Sequence, residues 1–277
     1  MIRNTQQFKD LVRNRSHGDS AKAQAIIRAY MMERFLERLS LSYYRDNLIL
    51  KGGVLVSAMV GLDNRTTMDI DTAIKGLPLS EEDVRRITED IIAVHLDDAV
   101  SFEVTDIATI MDEADYPGVR VMMVGVFEEM RTPFKVDFST DDVITPREIS
   151  YPFKLLFEER SISLLAYNVS TILAEKLETV LSRGIANTRM RDFYDIYAFL
   201  NTQTNIDHDE VKAAFENTVA KRGAQAVAAD ADTILDELAA DIGLMNLWAA
   251  YQRKFDYAAN VSWNDVMRTV KELRSWV

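Results

Sequence analysis

The apolar positions along this chain follow more than one period, and the change of period marks its organisation. From about Ser20 to Leu39, Ile26, Ile27, Tyr30, Met31, Phe35 and Leu39 recur at helical spacing. Arg28, Glu33, Arg34 and Glu37 lie between them, which predicts one long amphipathic helix. Residues 47–51 (NLILK) form a short apolar run ending in Gly52-Gly53, a strand passing into a turn, and residues 54–60 read as a helix closed by Gly61. A polar loop, Asp63-Asn64-Arg65-Thr66-Thr67, leads into residues 68–74, where DIDTAI alternates as a strand does. Ser80-Glu81-Glu82-Asp83 is a good helix start, a hydroxyl cap followed by acids at the positive end of the helix dipole, and that helix runs to about Leu96. Residues 100–107 and 119–127 read as strands, with Met122-Met123 expected in the core. Residues 134–139 alternate strictly, setting Phe134, Val136 and Phe138 on one face and Lys135, Asp137 and Ser139 on the other.

Beyond Pro152 the pattern becomes helical, over residues 170–183, 192–200, 209–221, 230–242, 245–255 and 263–276. The predicted class is α+β: a mixed sheet with flanking helices in the first half and a mostly helical second half. Two prolines between Ile144 and Pro152 mark the candidate boundary, giving domains of 1–150 and 151–277. Trp248, Trp263 and Trp276 fall in or at the ends of the last helices and are expected to pack them together. His17, His95 and His208 are scattered, and nothing marks them as catalytic.

Composition narrows the chemistry. The 277 residues include no cysteine, which excludes disulfides, thiolate zinc sites and a cysteine nucleophile. The N-terminal residues are polar and no apolar run approaches the ~20 residues that cross a bilayer, so a cytoplasmic protein without membrane association is expected. With 32 basic against 44 acidic residues the net charge is −12, which counts against tight non-specific binding to nucleic acid but leaves room for a local basic stretch at Arg183–Arg191. An acidic surface also suits a basic partner protein.

Three groups of residues carry candidate chemistry. Lys51-Gly52-Gly53 and Arg65-Thr66-Thr67-Met68-Asp69-Ile70-Asp71 fall together within about twenty residues. Residues two apart on a strand share a face, so Asp69 and Asp71 present two carboxylates to one point, an arrangement that repels itself unless a cation intervenes. Hard oxygen ligands without nearby His or Cys suit Mg²⁺ or Mn²⁺. Gly52-Gly53 between a strand and a helix lets backbone N–H groups approach a phosphate. A lone DxD usually means a solvated strand edge and a lone GG a turn; the combination is much rarer. Asp137, on the polar face of its strand, would be a third metal ligand beside Asp69 and Asp71 if that strand lies beside the DxD strand; otherwise it is an ordinary exposed acid. The third group is Glu175-Lys176-Leu177-Glu178-Thr179 to Arg183, followed by Arg189-Met190-Arg191-Asp192-Phe193-Tyr194-Asp195. Lys176 and Arg183 share a helix face that would hold a triphosphate, and Asp192 and Asp195 share another. Taken alone, that group is a helical hairpin with surface salt bridges.

With these residues the chain resembles the AbiEii/AbiGii-type toxin nucleotidyltransferases, the toxin halves of type IV toxin–antitoxin and abortive-infection systems within the DNA polymerase β-like nucleotidyltransferase superfamily. The resemblance runs from Glu33-Arg34-Phe35-Leu36-Glu37-Arg38-Leu39-Ser40 through Leu50-Lys51-Gly52-Gly53, Arg65 to Asp71 and Lys135-Val136-Asp137 to the Glu175–Asp195 segment. It implies that Gly52 and Gly53 form the phosphate turn, with glycine where the superfamily carries a serine hydroxyl. Asp69 and Asp71 are the implied metal pair, Asp137 the third carboxylate and general base, Lys176 a lysine near the triphosphate, and Asp192 or Asp195 the acid of the last motif. Arg65, Lys176 and Arg183 would neutralise phosphate charge. The implied reaction transfers a nucleotide from an NTP to an acceptor hydroxyl, at the 3′ end of tRNA in relatives, using two Mg²⁺ ions and releasing pyrophosphate; a cognate antitoxin is the implied partner.

Other readings stay open at this point. One keeps the chemistry with a protein or a small molecule as acceptor; another makes the chain an inactive NTP-binding or partner-binding module. A phosphotransferase would need a P-loop or HRD-like motif, and neither is present.

Overall fold

A computed structural model describes residues 2, 4–61, 67–111, 117–140 and 143–277 of the chain. It divides into two compact units, Met1–Ala58 with Thr66–Asp142 and Ile149–Ala166, and Met59–Arg65 with Val143–Glu148 and Tyr167–Val277.

The first unit contains helices α1 (Thr5–Ser16), α2 (Ser20–Leu41), most of α3 (Gly52–Val60) and α4 (Glu81–Ile92). Its strands are β1 (Leu48–Lys51), β2 (Asp69–Ile74), β3 (Val100–Met111), β4 (Pro117–Phe127), β5 (Met130–Ser139), β6 (Ile149–Lys154) and β7 (Ser161–Ala166). All seven strands join one mixed sheet in the order β3-β4-β5-β2-β1-β7-β6. β2 runs parallel to β5, β1 runs parallel to β7, and the remaining pairs are antiparallel.

The alternation of β5 is realised as the sequence predicts. Phe134, Val136 and Phe138 are buried on one face, and Phe35 of α2 meets Phe134 and Phe102 there, with centroids 6.3 and 6.0 Å away. α2 lies close to the sheet because β4 carries glycine at its crossing: a Cβ on Gly125 would meet Met31 at 3.0 Å. α2 is capped by the Asp19 carboxylate, which accepts from Lys22 N–H, and α4 by Ser80, which accepts from Asp83 N–H.

Four features differ from the sequence-based expectation. A helix, α1, precedes the long one; its apolar stripe is little more than Phe8 and Val12, too sparse to read, yet Phe8 is fully buried against Tyr30 and Phe127 at 4.6 and 5.6 Å. Met122 is 38% exposed, on the opposite face from the buried Met123. β6 and β7 belong to the sheet, so the helical unit resumes at Tyr167, past the boundary expected at residue 150.

The fourth difference follows from the third. Glu33, Arg34 and Glu37, expected on a solvated helix face, are buried. The turn between β6 and β7 covers them: Leu156 N–H donates to Glu33 Oε2, and Arg160 pairs with Glu37 at 2.6 Å and with Glu158 at 2.6 Å. Arg34, fully buried, pairs with Glu33 and Glu37 at 2.6 Å each.

The second unit holds α5 (Val169–Arg183), α6 (Met190–Thr202), α7 (His208–Arg222), α8 (Gln225–Ala229), α9 (Ala231–Ala240), α10 (Ile242–Lys254) and α11 (Trp263–Arg274). Leu173, Leu177, Phe193, Phe199, Val266 and Val270 form its core. Trp248 and Trp263 are buried within it, Trp248 donating to the Val261 carbonyl at 2.8 Å, while Trp276 stacks on His208 at 3.8 Å. Among the described residues, no helix is long and apolar enough to cross a membrane.

Candidate active site

The register of the sheet brings the acidic residues together. β2 and β5 pair so that Asp69 lies opposite Lys135 and Asp71 opposite Asp137, and β1 sets Lys51 opposite Asp71. Because alternate residues share a face, Asp69, Asp71, Lys135 and Asp137 all project from the side of the sheet away from Phe134, Val136 and Phe138. Asp137 therefore stands beside the DxD strand, where a third carboxylate was expected.

Each carboxylate has a defined surrounding. Asp69 accepts from Thr67 Oγ1 at 3.2 Å and pairs with Lys135 Nζ at 3.1 Å. Asp71 accepts the Gly53 N–H at 3.2 Å. Asp137 is gripped through both oxygens by Arg120, Nε at 2.8 Å and Nη2 at 2.7 Å, and its Oδ2 also lies 3.9 Å from Lys135 Nζ. Burial is the main cause that pushes Asp71 up to a pKa of about 6, and the neighbouring Asp69 and Asp137 charges add to it; the Gly53 N–H and Lys51 oppose it.

The Gly-Gly turn is built around this acid. Gly52 opens α3 with φ +62°, and a Cβ there would fall 2.0 Å from Asp71 Oδ2. Only glycine meets both demands, the left-handed backbone and the absent side chain. The Gly53 N–H, expected to face a phosphate, is here engaged by Asp71.

The donor set suits a hard divalent cation in a particular way. Asp69 and Asp71 offer carboxylate oxygens on one face, and the charge repulsion at Asp71 is what a cation would relieve. Among the described residues, however, no three His, Asp or Glu side chains are arranged to hold a metal ion. Two protein carboxylates with the remaining positions left to water and phosphate is the usual manner of Mg²⁺ rather than of a closed protein cage.

Lys176, Asp192 and Asp195 come together in the helical unit. The Lys176 ammonium, on α5, bridges Asp192 Oδ1 at 2.8 Å and Asp195 Oδ2 at 2.7 Å on α6, and Arg189 Nε adds a 2.7 Å contact to Asp192 Oδ2. Both aspartates are buried. Burial would raise the Asp192 pKa, but the Lys176 and Arg189 charges outweigh it and hold that carboxyl below its usual range. Glu175 and Glu178 pair with Arg222 of α7, and Arg183 sits in the last turn of α5. Arg65 and Thr66 lie outside the described residues.

Arg120 and Lys135 are the groups that sequence reasoning left without a role. Lys135 is legible in hindsight, since it shares the strand face of Asp137. Arg120 sits in an otherwise apolar strand, and only the β4–β5 register, which pairs it with Asp137, reveals it.

A mixed sheet whose central strands carry a DxD pair beside a strand–Gly-Gly–helix turn defines a nucleotidyltransferase-type protein. The chain belongs to the family described as nucleotidyl transferase AbiEii toxin, type IV TA system, whose profile matches residues 34–269. It is similar over 91% of its length to JHP933 from Helicobacter pylori, at 14% identity, 92% coverage of that chain and a TM-score of 0.49. It is similar over 70% of its length to an antigenic nucleotidyltransferase-like protein from Paracoccidioides brasiliensis, at 14% identity, 89% coverage of that chain and a TM-score of 0.37. No curated protein matches the chain.

Proposed function

We propose that this toxin-family nucleotidyltransferase moves a nucleotide from an NTP to a hydroxyl at the 3′ end of tRNA, in the cytoplasm, with Mg²⁺ or Mn²⁺ held by Asp69 and Asp71. The carrying observation is the in-register β2–β5 pairing, which sets Asp69, Asp71 and Asp137 on one sheet face beside the Gly52-Gly53 turn. In the transfer, the acceptor oxygen bonds to the α-phosphorus, the bond from that phosphorus to the β-phosphate oxygen breaks, and pyrophosphate leaves. The bound cation would supply charge neutralisation at the phosphates and lower the pKa of the acceptor hydroxyl.

The chain's own groups do the positioning. Gly52 leaves room for Asp71, and Gly53 N–H fixes the orientation of the Asp71 carboxylate. Asp137 is the group to receive the acceptor proton, and Arg120 orients it through two hydrogen bonds. Lys176 holds the α5–α6 hairpin by bridging Asp192 and Asp195. The type IV toxin–antitoxin family to which the chain belongs supports a cognate antitoxin as partner, and tRNA is the acceptor this reading adopts from the resemblance.

The test is incubation with each α-labelled NTP, Mg²⁺ or Mn²⁺ and total tRNA, comparing wild type with Asp69→Asn. Label entering RNase-sensitive material with wild type alone is the expected result. Label that survives RNase would replace tRNA by a protein or small-molecule acceptor, and no label under any nucleotide or metal would overturn the transferase reading.

A further inference from the structure

The face that carries Asp69, Asp71 and Asp137 also carries its own counter-charges. Lys135 Nζ lies 3.1 Å from Asp69 Oδ2 and 3.9 Å from Asp137 Oδ2, spanning the two acids that flank the site. Arg120 neutralises Asp137 through two hydrogen bonds, and Lys51 stands across the β1–β2 ladder from Asp71. Among the described residues, three carboxylates thus face three cations. A bare divalent ion entering this arrangement would meet little net negative charge, and it would meet the Lys135 ammonium at the oxygen of Asp69 that it needs.

From this geometry we infer that Lys135 is the resident cation of the nucleotide-free site. Its ammonium binds Asp69 in competition with the divalent ion, so the metal enters tightly only together with a nucleoside triphosphate whose phosphate oxygens receive the ammonium. The exchange is favourable as a unit because every charge keeps a partner: Asp69 passes from ammonium to metal, and Lys135 passes from carboxylate to phosphate. Lys135 is suited to move. Its side chain is 29% exposed and ends in a point charge on a flexible stem, whereas Arg120 is fixed by a two-pronged contact. Site loading would then be ordered, with metal and nucleotide arriving together and the empty protein holding no metal of its own.

This inference rests on the proposed assignment of Asp69 and Asp71 as metal ligands, and the experiment separates the two. Mn²⁺ binding to the full chain is measured by titration calorimetry, without nucleotide and with α,β-methylene ATP, for wild type, Lys135→Met and Asp69→Asn. Lys135→Gln is carried alongside so that one poorly folded variant does not decide the matter, and thermal melts with and without Mn²⁺ report folding. The expected result is that Lys135→Met binds Mn²⁺ at least about 10-fold more tightly than wild type without nucleotide. The two should differ less once the nucleotide analogue is present. A rise in Tm with Mn²⁺ should accompany this in the lysine variants and be small in wild type. Equal or weaker Mn²⁺ binding by both lysine variants, with binding still lost in Asp69→Asn, overturns the role of Lys135 and leaves the metal assignment standing. Mn²⁺ binding that survives Asp69→Asn, or no binding by any form with nucleotide present, overturns the metal assignment and this inference with it.

Discussion

Gly52 and Asp71 fit together only because glycine has no side chain: a Cβ at position 52 would stand 2.0 Å from Asp71 Oδ2, and the backbone there has φ +62°. The two constraints act in different ways. A left-handed backbone costs a side-chain-bearing residue ~1–2 kcal/mol, while the clash must push Asp71 away from Asp69 and from the Gly53 N–H. Gly52→Ala is therefore expected to lower Tm modestly and to reduce kcat/KM for labelled-nucleotide transfer by about 100-fold, the scale of a misplacement of ~1 Å in an active site. Thermal melts and transfer kinetics on the same preparation check both halves. A variant with a lowered Tm and unchanged kcat/KM would remove Gly52 and Asp71 from the site.

Lys176 is the residue whose surroundings most change its expected role. Its ammonium is held by two buried carboxylates, Asp192 at 2.8 Å and Asp195 at 2.7 Å. Removing one partner of a buried charge network costs about 3–5 kcal/mol because the charge left behind is poorly compensated. Lys176→Met should thus lower the urea midpoint substantially, whether or not nucleotide is present. A variant as stable as wild type, but with a raised KM for NTP, would return the lysine to triphosphate binding.

Much of the site was legible in the sequence because its parts are local. Asp69 and Asp71 declare a shared face by their spacing, and Phe134-Lys135-Val136-Asp137-Phe138 shows by alternation which side Asp137 takes. What was not legible depends on which strands become neighbours. Arg120 looks like a stray charge in an apolar strand until the β4–β5 register sets it against Asp137. The strands at 149–154 and 161–166 are short, one contains Pro152, and β6 sits at the sheet edge, where proline is tolerated. Missing that hairpin made the charges of α2 look solvated, since the turn at Leu156–Arg160 is what buries them. Periodicity records which side of a helix is apolar, and it is silent on a polar side buried by ion pairs.

Glu33 gives the fold a pH dependence. Burial is the main cause that pushes its pKa up to about 7, against the lowering effects of Arg34 and the Leu156 N–H. A carboxyl raised in the folded state binds its proton more tightly there than in the unfolded chain. Its contribution to stability is therefore full below the ordinary carboxylate range and is lost as pH rises toward 7, amounting to about 3 kcal/mol at most. Glu33→Gln keeps the shape and cannot ionise. The urea midpoint of wild type should fall more steeply than that of Glu33→Gln between pH 5 and pH 8. Parallel curves would mean that Glu33 stays charged across the range.

Arg38 and Asp98 form a second buried pair on α2, and it has a different energetic character. Arg38 Nη1 and Nη2 meet Asp98 Oδ2 and Oδ1 at 2.8 and 2.9 Å, and the same guanidinium donates to the Val100 carbonyl at 2.7 Å and the Arg34 carbonyl at 3.1 Å. Asp98 Oδ1 also accepts the Val100 N–H at 3.2 Å, so the pair ties the C-terminal half of α2 to the start of β3. Either single change, Arg38→Met or Asp98→Leu, leaves a buried charge without its partner and should cost about 3–5 kcal/mol. The double variant removes both charges together, so its loss should fall well short of the sum of the singles. The difference is the coupling that a double-mutant cycle in urea measures. It should not return to wild-type stability, because the Val100 N–H and carbonyl lose partners that an apolar side chain cannot replace. Additive losses would show that Arg38 acts through its carbonyl contacts and its packing over Phe102, 5.1 Å from the guanidinium carbon, rather than through Asp98.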